Sequence, residues 1–156
     1  MSNIPEDAHA IIIGAMKSGT TSFYNYLVEH PQICPSLEKE PEFFSEHQDH
    51  GTEIENYQEL WNFDSDLHKY ALEASTGYTK YPVEKNVAKR IYNYKIRPKL
   101  IYLVRNPFDR IESHFNFMHT HKSSKFNIID ENILNISRYS LQLEQFRTFF
   151  PRKDIL

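Results

Sequence analysis

The chain has 156 residues, of which 40% are apolar and 25% charged. That is enough for one domain with a substantial core, and the composition is that of an ordinary globular protein. A net charge of −3 gives no bulk attraction to nucleic acid or to an anionic membrane, so any anion site has to be built locally. The single cysteine, Cys34, excludes an internal disulfide and reads as a small, partly buried residue. The first ten residues, MSNIPEDAHA, lack a basic segment followed by an apolar one, and no apolar run reaches the ~18 residues of a membrane span. A soluble, cytoplasmic, single-domain chain over residues 1–156 is expected.

In chain order, AIIIG (Ala10–Gly14) reads as a buried parallel strand ending in glycine. A helix is expected from Thr20, with Phe23, Tyr26 and Leu27 on one face and His30-Pro31 as its end. QICPS suggests a brief extended piece, and LEKEPEFFSEH, interrupted by Pro41, a loop or short helix. Ile54, Tyr57 and Trp61 predict a helix over 53–63. KYALEAS predicts a second strand over 69–75, with a turn through TGYTKYP. Pro82 fits the first helical position before a helix over 83–94. KLIYLVR (Lys99–Arg105) is the clearest further strand, and NPFDRIESHFNFM starts a helix with Pro107 in its first turn. HTHKSSKFN reads as a polar loop. One last helix is predicted over 130–150, with Ile133, Ile136, Tyr139, Leu143, Phe146 and Phe150 as its apolar stripe.

Strands alternating with helices predict an α/β fold: a P-loop-like three-layer domain with a mostly parallel central sheet flanked by helices. Ligands of such sheets bind at the carboxyl ends of the strands. Two segments fall there, Gly14–Ser22 and the residues from Arg105 onward.

The first segment, GAMKSGTTS, has two glycines at the spacing of a nucleoside-triphosphate loop, G-x-x-x-x-G-K-[ST], but Thr20 stands where that loop has its lysine. Lys17 comes two residues before the second glycine instead. A glycine turn leading into a helix still offers unpaired amides and a positive dipole end, and Thr20, Thr21, Ser22 and Lys17 add donors. A tight turn with ordinary capping residues is the structural alternative. The second segment carries Arg105 where a triphosphatase often has a magnesium-binding aspartate. Arginine attracts a second phosphate rather than Mg²⁺, although Asp109 follows one turn later. Arg105 and Ser113 are spaced to meet on one anion, the alternatives being a surface ion pair and a helix serine bonded backward. The loose pairs His47/His50 and His119/His121 lack third and fourth ligands, so no metal site is assigned.

The segments KSGTTS, KEPEFF and RNPFDRIESHF together resemble the sulfotransferases that use 3′-phosphoadenosine 5′-phosphosulfate (PAPS), most closely the carbohydrate and glycosaminoglycan branch and its bacterial relatives. Lys17–Thr21 match the family's K-[ST]-G-T-[ST] loop. Arg105, Asn106, Pro107, Arg110 and Ser113 match its R-[ND]-P-x-x-R-x-x-S motif. SRYSLQLEQFRTFFP is similar to a helix of that branch. The resemblance implies sulfuryl transfer from PAPS to a hydroxyl or amine acceptor, a carbohydrate or small metabolite, with no metal and no nucleic-acid partner. It implies that Lys17 contacts the oxygen bridging phosphate and sulfate, that Ser18, Gly19, Thr20, Thr21 and Ser22 join it in binding the 5′-phosphate, and that Arg105 and Ser113 bind the 3′-phosphate. In KEPEFF it gives Glu40 the role of general base, with Glu42 as the rival two positions on.

Two departures stand out. Ala74 occupies the place of a lysine found in part of the family, with Lys39 or Lys80 as possible substitutes. The chain also ends at RKDIL, about where relatives continue into a further strand and a basic loop over the nucleotide. Alternatives are therefore a module that binds PAPS or its product without efficient turnover, or a small kinase with a displaced lysine. Phe43, Phe44, Tyr78 and Tyr81 are candidates for an acceptor cleft or for the core.

Overall fold

The computed structural model describes residues 4–46, 56–122 and 130–156. Four parallel strands, β1 (His9–Gly14), β2 (Ile33–Pro35), β3 (Tyr70–Ala74) and β4 (Lys99–Tyr102), lie in the order β2-β3-β1-β4. β1 is central and buried at every residue, which is why it reads as an unbroken apolar run. Beyond β4, the Leu156 amide donates to the Leu100 carbonyl (2.8 Å) and the Tyr102 amide to the Leu156 carbonyl (3.0 Å), so the parallel pairing continues past β4.

Strand alternation sorts the core onto two faces. Ala10, Ile12, Leu72 and Ala74 face α1 (Thr20–Val28), which covers them with Phe23, Tyr24 and Leu27. Ile11, Ile13, Ala71 and Leu100 belong to the opposite cluster, with Tyr57, Trp61, Phe44 and Tyr78 and with residues of α2 (Val87–Asn93) and α5 (Tyr139–Arg147). Helices on both faces give the expected three layers. α3 (Pro107–Lys122), which follows β4, and α4 (Glu131–Ser137), packed on α3, are the remaining described α-helices.

The structure differs from expectation at several places. β4 ends at Tyr102, short of Arg105, and α3 runs on to Lys122 through the start of the expected loop HTHKSSKFN, whose residues 123–127 lie outside the described residues. On α1 Tyr26 is 77% exposed, and Tyr24 takes its place against the sheet. Of the helix predicted over 53–63, residues 53–55 lie outside the described residues. The rest is one 3-10 turn, Tyr57–Leu60, after which Trp61 is extended and donates its indole N–H to the Leu72 carbonyl (3.1 Å). α2 begins at Val87 rather than 83, because the Val83 and Glu84 amides turn back onto the Lys80 carbonyl (2.8 and 3.0 Å) and Asn86 is left-handed. The helix predicted over 130–150 is two, broken at Arg138 (ψ 73°). Gln142 Nε2 takes the Asn135 carbonyl (2.9 Å) that a continuous helix would use, and the same amide group brackets the Tyr81 backbone at 2.8 Å on both sides.

Glu73 is the anomaly of the core. Alternation turns it inward, and it is fully buried among the aromatic side chains. Tyr57 Oη (2.6 Å) and Tyr78 Oη (3.1 Å) donate to its Oε1, and Ser75 Oγ (2.6 Å) to its Oε2. Burial disfavours the charged form more than these donors favour it, and the carboxyl is pushed up to about 7. A folded value above the unfolded one means that stability is greatest below the unfolded value and declines as pH rises through about 7. Between pH 5 and pH 8 the loss from this group should be on the order of 2–3 kcal/mol. Denaturant titrations at the two pH values are expected to show that slope in the native protein and a flatter one in Glu73→Gln. Equal slopes would locate the pH dependence elsewhere.

Candidate active site

The chain leaves β1 still bonded to the extension of β4: the Leu103 amide donates to the Gly14 carbonyl and the Ala15 amide to the Leu103 carbonyl, both 2.8 Å. Gly14 has no room for a side chain. A Cβ there would lie 2.0 Å from Thr79 Oγ1, which donates to the Ile13 carbonyl (2.8 Å). Lys17 (φ 68°) and Gly19 (φ 84°) then reverse the backbone. A Cβ on Gly19 would meet nothing within 4 Å, so glycine is required there by the left-handed backbone and not by crowding.

As N-cap of α1, Gly19 offers no side-chain acceptor, and the first turn carries no acidic residue. The first bond back to the cap is from the Phe23 amide to the Gly19 carbonyl (3.1 Å), leaving the amides of Thr20, Thr21 and Ser22 as the usual orphans of a helix start. Ser18 Oγ is buried beside them without a hydrogen-bond partner among the described residues. Free amides and an unpartnered hydroxyl at a positive dipole end are the chemistry that suits an anion.

The second strand end contributes cations. Arg105 Nη1 donates to the Lys17 carbonyl (3.2 Å), joining the two loops, while Nη2 lies 3.8 Å from Asp109. Lys17 Nζ rests 4.4 Å from the centre of the Phe117 ring. Beneath both loops Arg110 is fully buried, bonded to Ser137 Oγ (2.6 Å), the Ile133 carbonyl (2.7 Å), the Met16 carbonyl (3.4 Å) and His114 Nδ1 (3.3 Å). All four acceptors are neutral. Burial lowers the Arg110 pKa, but a guanidinium stays charged in proteins, so its field adds to that of Lys17 and Arg105. Arginine can only donate, so His114 Nδ1 must accept. The imidazole is therefore neutral, and burial followed by the nearby Arg110 charge pushes its pKa down to about 4.

Lys17, Gly19, Thr20, Thr21, Arg105 and Ser113 line one cleft of about 480 Å³, together with Met16, Lys39, Glu40, Thr76 and Phe117. The two motifs, 88 residues apart at the Lys17–Arg105 contact, thus form a single site. Ser18 and Ser22 do not line it. Glu40 does, with Thr76 Oγ1 donating to its Oε2 at 3.4 Å. Glu42 does not: it is buried, with its carboxylate on the Gly77 amide (2.7 Å) and Ser45 Oγ (2.6 Å). Lys39 stands in the cleft, whereas Lys80 lines a neighbouring pocket with His114 and Met118. Ala74 is buried against the α1 face. Phe44 and Tyr78 are core residues and Phe43 packs on them, while Tyr81 gives its backbone to Gln142. A wider groove of about 730 Å³, with Tyr92, Ile96 and Phe149 in its walls, lies by the amino end of β4 and is lined by none of the motif residues.

Sequence reasoning missed Thr76, Phe117 and Met16 as cleft residues, and nothing local marks them. It named Arg110 only as a motif match. The glutamate inside the apolar run YALEA is the one local signal of the buried acid Glu73.

A sequence model described as "Sulfotransferase domain" matches residues 7–156. The chain is 37% identical over 112 residues to the membrane-associated sulfotransferase kil1 of Dictyostelium discoideum, covering 69% of this chain and 22% of that protein. It is 28% identical over 159 residues to human heparan sulfate glucosamine 3-O-sulfotransferase 5, covering 91% and 44%. The chain thus spans less than half the length of either relative. A crystal structure of a sulfotransferase from Alicyclobacillus acidocaldarius superposes with a TM-score of 0.76 at 23% identity over 96% of this chain and 71% of that one, which supports the fold. With the family model spanning all but the first six residues, the chain belongs to the sulfotransferase domain family.

Proposed function

We propose that the cleft binds PAPS and transfers its sulfuryl group to a hydroxyl or amine of a carbohydrate or small-metabolite acceptor. The observation carrying this reading is the convergence of Lys17, the uncapped start of α1, Arg105, Ser113 and Glu40 on one cleft. The α1 amides and the Thr20 and Thr21 hydroxyls suit a 5′-phosphate, and Arg105 with Ser113 suits the 3′-phosphate. Ser18 and Ser22, outside the cleft lining, support this site only as neighbours of those amides.

With a hydroxyl acceptor, the acceptor oxygen attacks sulfur in line with the bridging oxygen. The new S–O bond forms as the old one breaks, and the electron pair leaves on the phosphate. Lys17 stabilises the charge developing on that oxygen, and Glu40 takes the acceptor's proton. Glu42 is a poor candidate for the base because both of its oxygens are engaged in the interior. The chain's own groups thus supply orientation and charge stabilisation, the main sources of rate in the related transfer of phosphoryl groups.

Calorimetry with adenosine 3′,5′-bisphosphate and with ATP·Mg²⁺ tests the donor. Preference for the bisphosphate is expected, and preference for ATP·Mg²⁺ would mean a kinase. A transfer screen with radiolabelled PAPS over sugars, phenols and lipids tests turnover, and binding without transfer to any of them would leave a binding module. In that screen Lys17→Ala is expected to lower kcat by about 10²–10³-fold. Glu40→Gln should lower kcat by about 10²–10⁴-fold and change bisphosphate affinity by less than about threefold. Undiminished turnover in Glu40→Gln would remove it from the mechanism.

A further inference from the structure

Glu40 and Glu42 both hold left-handed backbones, φ 52° and 48°, although neither is glycine. Two such residues in three persist only where the surroundings fix them. The fixing contacts centre on Glu42. Its Oε1 accepts from the Gly77 amide (2.7 Å) and its Oε2 from Ser45 Oγ (2.6 Å), while its own amide donates to Ser75 Oγ (3.0 Å). Ser75 Oγ in turn donates to Glu73 of β3, and the Phe44 amide donates to Tyr78 Oη (3.2 Å), which bonds the same glutamate. The loop carrying Glu40 is thereby tied at three points, Ser75, Gly77 and Tyr78, to the segment after β3. That segment also supplies Thr76, which bonds Glu40.

The fit at Gly77 is close. A Cβ there would lie 2.2 Å from Glu42 Oε2, so the carboxylate occupies the space that a side chain would need. Glu42 itself is buried and lines no part of the cleft, so its effect on chemistry must pass through the loop it holds.

We propose that Glu42 is a positioning residue: bound to the Gly77 amide and to Ser45, it clamps the loop against the segment after β3 and keeps the Glu40 carboxylate in the cleft with Lys17. The catalytic part of this inference rests on the reading of Glu40 as the base. The clamp itself is a separate matter of structure.

The test uses the whole chain and four variants. In Glu42→Ala, hydrogen exchange at the Gly77 and Phe44 amides should accelerate about tenfold or more as the clamp is lost. kcat for the acceptor found in the transfer screen should fall about tenfold or more, with calorimetric affinity for adenosine 3′,5′-bisphosphate kept within about threefold. Glu42→Gln keeps an oxygen for Gly77 and an amide to which the Ser45 hydroxyl can turn, and should restore kcat to within about threefold of the native value. Should Glu42→Ala not fold, Ser45→Ala removes one of the two carboxylate bonds and should give a smaller change of the same pattern. Unaltered exchange would overturn the clamp. Loss of bisphosphate affinity in step with kcat, or failure of Glu42→Gln to rescue, would overturn positioning in favour of a general structural role. Glu40→Gln alone judges the base. Were it fully active, the base reading and the catalytic consequence would fall together, and exchange in Glu42→Ala would still decide the clamp.

Discussion

β1 is the constraint on which the site depends. It is hydrogen-bonded to β3 on one edge and to β4 on the other, and covered on both faces. A strand so confined cannot shift by one residue without exchanging its two core faces. Its carboxyl end is therefore a fixed point, from which the chain turns through Lys17 and Gly19 into α1. β3 delivers Glu73 and the Thr76–Thr79 turn to one side of that point, and β4 delivers Arg105 to the other. The cleft is where these three strand ends leave the sheet, at the position where the strand order changes direction.

Charge is distributed around this point unevenly. On the α3 side, Arg110 is buried on neutral acceptors and Arg105 is shared with an exposed aspartate, leaving net positive potential under the loop. On the β3 side two carboxyl groups, Glu73 and Glu42, lie in the interior among hydroxyls and an amide. Glu40 and Lys17 stand at the boundary between the two regions. A chain of net charge −3 can thus present a cationic cleft because its buried acids are held by hydrogen bonds instead of being paired with the cleft's cations.

What the sequence made legible was local. The strand at Ala10–Gly14, the glycine turn and the Arg105–Ser113 segment declare themselves within a few residues, and each lies where its pattern implied. Three of the errors came from partners distant in sequence. Arg138 breaks a helix because Gln142 reaches Tyr81, 61 residues away. Trp61 leaves its helical spacing for a carbonyl of β3. Glu40 and Glu42 look alike in KEPEFF, and only Gly77, 35 residues on from Glu42, separates them. No periodicity encodes such pairings, whereas a glutamate in an apolar strand does announce one.

His114 illustrates how a neighbour can silence a reactive side chain. It adjoins the cleft wall, sharing a pocket with Met16 and Phe117, and an imidazole there would ordinarily compete for any proton released nearby. With Nδ1 committed to a guanidinium that never gives up its charge, the ring stays unprotonated through the physiological range and cannot act as a local buffer. On the proposed reading of Glu40 as the base, His114 therefore adds no competing proton acceptor beside it.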